Sequence, residues 1–127
     1  MTAGGAGLAG LAESLMLGDL LREQPALAVG QVVASAGVDA ALREGSPALV
    51  LDLLTALRRF VAGDWPAGAP EDAGLNDAAA ASGDRLLAVF PARGGPSAVL
   101  WIVADAVPDF GRPGSPRTVT MLWPDEY

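Results

Sequence analysis

The side chains able to do chemistry in this sequence are carboxylates, arginines, hydroxyls and one tyrosine. The chain has 15 acidic and 8 basic residues, every basic one an Arg, with no His, Lys or Cys. Without His there is no Ser-His-Asp triad, HExxH zinc site or His-ligated haem. Without Lys there is no Schiff-base nucleophile, Ser–Lys pair or phosphate-loop cation. Without Cys there is no thiol catalysis, disulfide framework or iron–sulfur cluster. Carboxylate pairs remain, at Glu71-Asp72 and Asp125-Glu126. Adjacent residues point apart on a helix or strand, so neither pair makes a convincing Mg²⁺ or acid/base site. Ser35, Ser46, Ser82, Ser97 and Ser115 lack a His or Lys base. Arg85 and Arg117 each open a predicted strand. They suit a surface salt bridge better than a joint anion site. The expectation is a protein that is not an enzyme and carries no cofactor or metal.

Charge points instead to binding. The net charge is −7, which argues against a direct nucleic-acid partner, since phosphate binding depends on basic patches. Asp64, Glu71, Asp72, Asp77 and Asp84 fall in a stretch with no Arg. They read either as a solvated loop and helix start or as an acidic surface for a basic protein partner. Asp64 and Trp65 place a carboxylate beside an indole at the end of a helix. That pair serves as a recognition feature, or Trp65 folds back as a core anchor with its N–H on a loop carbonyl. Trp123 has the same two readings, core or partner contact, whereas Trp101 reads as core. The candidate partner-binding residues are therefore Asp64, Trp65, Glu71, Asp72 and Trp123.

Several elements must position these residues. The small residues 1–7 read as a flexible start. Leu8, Leu11, Leu15, Leu20 and Leu21 predict an extra amphipathic helix within 8–26, stopped by Pro25. Its Leu face suits the core or a homodimer contact. Leu27 to Ala34 predicts a strand and Val38 to Arg43 a short helix. Ser46 and Pro47 start the clearest helix, with Val50, Leu53, Leu54, Leu57 and Val61 on one face and Gly63 after its end. A turn-rich stretch leads to a small helix from Glu71 to Ser82. Strands follow at 85–90, 98–104 and 117–123, and the unbroken apolar run at 98–103 predicts a central strand covered on both faces. The fold class is α+β, helices packed on a three- to four-stranded, mainly antiparallel sheet with a C-terminal meander, in one domain over 8–127. No stretch is apolar enough to span a membrane and no basic leader opens the chain, so the expected location is the cytoplasm.

Across residues 27–127, Leu27-Ala28-Val29-Gly30-Gln31-Val32-Val33-Ala34-Ser35, Gly63-Asp64-Trp65, Asn76-Asp77, Gly83-Asp84-Arg85, Trp101-Ile102-Val103 and the ending from Arg117 to Tyr127 share an order and spacing. In these the chain resembles the small plasmid- and phage-borne proteins of unknown function often labelled "type I restriction endonuclease subunit M". It departs from them in residues 1–26, in Ala104-Asp105, in the longer loop 106–116, and in Pro116, which stands where they carry an acid. The label itself does not suit this chain, because the sequence has neither a GxGxxG between strand and helix nor an acidic Pro-Pro-aromatic motif. The resemblance implies a small accessory protein of a mobile genetic element, acting by protein–protein interaction. Alternatives are an anti-defence or DNA-mimic inhibitor of a nucleic-acid-binding protein, and a toxin–antitoxin component. A toxin-like RNase has a similar general layout, but it would need basic side chains for RNA.

Overall fold

The computed structural model describes residues 27–108 and 111–127. The expected flexible start and N-terminal helix, 1–7 and 8–26, lie outside the described residues.

The first strand, β1 (Val29–Ala34), is the Val-rich run, and Ser35 then caps α1 (Ala36–Glu44) by accepting a hydrogen bond from the Val38 amide at 3.2 Å. This cap starts the helix two residues earlier than the apolar pattern alone predicts. Ser46 does the same for α2 (Pro47–Val61), accepting from the Leu49 amide at 3.2 Å, with Pro47 in the first turn. Leu49, Leu53, Leu54, Leu57, Phe60 and Val61 bury one face of α2, and Arg58 and Arg59 lie near its negative end. The helix expected from Glu71 is divided. Pro70–Asp72 forms a 3₁₀ turn, and α3 (Ala73–Ser82) follows, closed by Gly83 at φ 85°. Only glycine takes that left-handed conformation at low cost.

Three further strands, β2 (Leu86–Pro91), β3 (Val99–Ala104) and β4 (Arg117–Leu122), complete a four-stranded sheet of order β1-β4-β3-β2. β2 pairs antiparallel with β3, and β3 antiparallel with β4, with Ile102 opposite Ala88 and Met121. The fold is α+β, as the element pattern predicts. β1 adds to the outside of β4 in parallel, Val32 opposite Val119, a pairing that no local sequence signal announces. A Pro124–Glu126 3₁₀ turn follows β4.

Alternation along the strands gives the sheet one face toward α1 and α2. Phe60, Phe90, Leu53, Leu57, Leu100 and Ile102 are fully buried in the cluster between them. Burial of each such side chain is worth about 1.5–3 kcal/mol relative to exposure. Trp101 is a correction. It is half-buried and lies outside that cluster, because β3 turns residues 100, 102 and 104 toward the helices and Trp101 the other way.

Candidate functional site

Asp64 and Trp65 sit where α2 ends. Gly63, at φ 97°, turns the chain back so that its amide bonds the Phe60 carbonyl and the Asp64 amide the Arg59 carbonyl. The Asp64 carboxylate then pairs with Nε of Arg59 at 2.6 Å. Arg59 also lies over the Phe90 ring, its Cζ 5.0 Å from the centroid. Asp64 is thus committed to a local cation, which weakens its claim as an open recognition charge.

Trp65 folds back, as the anchor reading expects. Its indole N–H donates to the Phe60 carbonyl at 2.7 Å, and its ring meets Phe60 edge-on at 6.3 Å. Its carbonyl accepts at 3.1 Å from the side chain of Asn76, a residue in α3 that is only 8% exposed. The same amide nitrogen donates to the Leu87 carbonyl at 2.8 Å, and Asn76 Oδ1 accepts from the Leu87 amide at 3.4 Å. The next free edge amide, that of Val89, donates to the Pro66 carbonyl at 2.8 Å. The outer edge of β2 is therefore closed by one side chain and one loop carbonyl, which removes it as a template for strand pairing. Sequence reasoning gave Asn76 no role. Its signal was an Asn inside an Ala-rich helix, where its propensity is poor unless the side chain has work elsewhere.

Glu71 and Asp72 lie exposed in the 3₁₀ turn before α3, and Asp72 makes no side-chain cap bond. Asp77 is exposed one turn on, and between them Leu75 holds its side chain in solvent at 63% exposure. None of these three acids forms an ion pair among the described residues. The structure so joins Trp65 to α3 through Asn76, and sets Glu71, Asp72 and the unforeseen Leu75 together on the outer side of that helix.

Trp123 does not join them. It is 2% exposed, because the alternation that buries Val119 and Met121 carries it toward the helices, and this overturns its reading as a partner contact. Among the described residues its indole N–H has no hydrogen-bond partner, an uncommon state for a buried donor. Its backbone amide donates to Glu126 at 2.8 Å. The Glu126 carboxylate also accepts from the Ser35 hydroxyl at 2.5 Å and the Gly37 amide at 3.0 Å, at the start of α1. Burial pushes this carboxyl up, but the bonds from Ser35, Trp123 and Gly37 outweigh it and hold its pKa below the ordinary value. Ser35 and Glu126 thus form a structural clasp.

Arg117 is neither a surface ion pair nor an anion site. At 3% exposure it donates to the carbonyls of Asp84 at 2.6 Å, Ala80 at 3.0 Å and Ala79 at 3.4 Å, closing the end of α3. Burial lowers its pKa from the usual arginine value, against the opposing charge of Asp84. Arg85 stacks over the Tyr127 ring at 4.9 Å.

A cleft lined by Asp52, Thr55, Ala56, Arg59, Phe90 and Pro91 encloses about 40 Å³. That holds a water or two, far short of the few hundred Å³ usual for a metabolite site. Asp52 there is gripped by Arg93 through Nη2 at 2.7 Å and the backbone amide at 2.9 Å, and these bonds lower its pKa. Among the described residues no three acidic, His or Cys side chains are placed to hold a metal ion, and no helix is long and apolar enough to cross a membrane. Comparison with protein-family models, curated proteins and solved structures gave no match.

Proposed function

We propose that this protein is a non-enzymatic accessory protein that acts by binding another protein, and that Glu71, Asp72 and Leu75 form the contact. The observation that carries this reading is Leu75, a large apolar side chain in solvent about one turn after Glu71 and Asp72, two exposed acids that have no cation of their own among the described residues. An apolar point with two acids one turn before it fits a partner segment with basic residues beside an apolar pocket, where charge guides encounter and the Leu supplies burial. The polar groups most able to do chemistry support the same reading. Asp64, Arg117, Asn76, Ser35 and Glu126 are all engaged in holding the fold. The resemblance to plasmid- and phage-borne proteins supports placing the partner on a mobile element or in its host.

The test is recovery of a partner by the intact protein at low salt, repeated with Glu71→Lys/Asp72→Lys and with Leu75→Ala. The expected result is a partner lost in the charge-reversed protein, weakened about tenfold by Leu75→Ala, and released as salt rises. A partner held equally well by both variants would return this segment to a solvated helix start.

A further inference from the structure

The two ends of α3 are held very differently. At its C-terminal end Arg117 donates to the carbonyls of Ala79, Ala80 and Asp84, and the Val107 amide donates to the Gly83 carbonyl at 2.9 Å. Packing there is so close that a Cβ on Gly83 would fall 2.8 Å from Cγ2 of Val107 and 3.2 Å from Cα of Pro113. At the N-terminal end Asp72 makes no side-chain cap bond, Leu75 stands in solvent, and a Cβ on Gly74 would meet nothing within 4 Å. Among the described side chains of α3, Asn76 alone is buried, and it is polar; Ala79 and Ala80, half-buried against the core cluster, belong to the fixed half. The N-terminal half is thus tied down by the hydrogen bonds of one amide, without the apolar burial that fixes α2. A helix of ten residues is too short to persist on its own.

The Asn76 carboxamide donates to the Leu87 carbonyl and accepts from the Leu87 amide, the same two bonds that an opposing residue of an antiparallel strand makes. Ala88, next along β2, lies opposite Ile102, and the alternation of the strand turns its amide inward to β3. We propose that α3 is a hinged lid on the outer edge of β2. It pivots about the end gripped by Arg117 and packed on Val107, and Asn76 is its latch. Opening uncovers the Leu87 amide and carbonyl as a strand-pairing edge while the pairing of β2 with β3 stays intact. The free end is the one that carries Glu71, Asp72 and Leu75, but the lid needs no partner to open.

Amide exchange of the full, unaltered chain, followed by NMR at urea concentrations below the unfolding transition, tests this. The amides of Asp77, Ala78 and Leu87 should share one protection factor, about 100-fold below that of Ala88 and Ile102, and nearly independent of urea. Val107, bonded at the hinge, should instead exchange slowly and with the steep urea dependence of the sheet. Three results overturn the proposal. Asp77 and Ala78 exchanging as slowly as Ile102 would mean that α3 opens only when the whole domain unfolds. Values graded from residue to residue would mean fraying of a helix end instead of a lid. Fast, urea-independent exchange at Val107 would mean that the C-terminal end is no hinge. In a second experiment Asn76→Ala should speed exchange at Asp77 and Ala78 by at least about tenfold, and unchanged rates there would overturn the role of Asn76 as the latch. The first measurement needs no variant, so it decides the matter even where Asn76→Ala fails to fold.

Discussion

Replacing Asn76 by Ala removes three hydrogen bonds and leaves the Leu87 amide, the Leu87 carbonyl and the Trp65 carbonyl without their partner. The Leu87 carbonyl bond, at 2.8 Å, is the strongest of these, and the 3.4 Å amide bond the weakest. Each net bond is worth about 0.5–1.5 kcal/mol, and a buried group left unpaired costs about 1–3 kcal/mol. The better helix propensity of Ala returns about 0.5 kcal/mol. The net loss should be about 2–3 kcal/mol, read from urea unfolding at neutral pH. Asp77→Ala, one residue along but exposed, should change stability by less than about 0.5 kcal/mol. Amide exchange locates the effect, since the Leu87 and Val89 protons should lose protection before those of β3. The variant should also associate more readily at high concentration, because the β2 edge is uncovered. A loss below about 0.5 kcal/mol, or unchanged protection at Leu87, would refute the assignment of Asn76 as the closure of that edge.

Two further outcomes concern the clasp between Glu126 and α1. Gly37→Ala would place a Cβ 2.8 Å from Cδ1 of the buried Trp123 and 2.7 Å from Oε2 of Glu126, so thermal unfolding should show a loss of about 1–3 kcal/mol despite the gain in helix propensity. Because the Glu126 pKa is held below its ordinary value, the clasp contributes stability above the unfolded-state pKa and loses it as pH falls through the folded one. Glu126→Gln should therefore be less stable than the natural chain at neutral pH and draw level with it under acid, measured as urea midpoints from neutral pH down to about 3.

Local chemistry in the sequence was a good guide to the elements. Ser46 and Pro47 mark the start of α2, the alternation in Arg117 to Trp123 marks a strand, and Gly83 marks the close of α3. Pairing across long distances was not legible. β1 carries no signal naming β4 as its neighbour, and an apolar strand such as β3 does not declare which layer covers each face. The site was legible in charge and less so in geometry. The acids around Glu71 stood out by composition, but Asp64 being spent on Arg59, Trp123 being buried and Leu75 being exposed each depend on tertiary placement. Arg117 shows the same limit, since a lone Arg at a strand start reads as a surface cation until the carbonyls of α3 are seen around it.

The parallel pairing of β1 with β4 has a mechanical consequence. β1 is the first strand described and β4 the last, and they lie side by side in the same direction. Tension applied at Leu27 and Tyr127 pulls the two strands along their own axes in opposite senses. The bonds linking them must then slide past one another together, because the geometry loads the whole ladder in shear instead of opening it pair by pair like a zip. Under tension applied at those two residues, the described strands should hold to a higher force than an antiparallel hairpin of equal strand length pulled at its open end. The first yield point should be the β1–β4 seam.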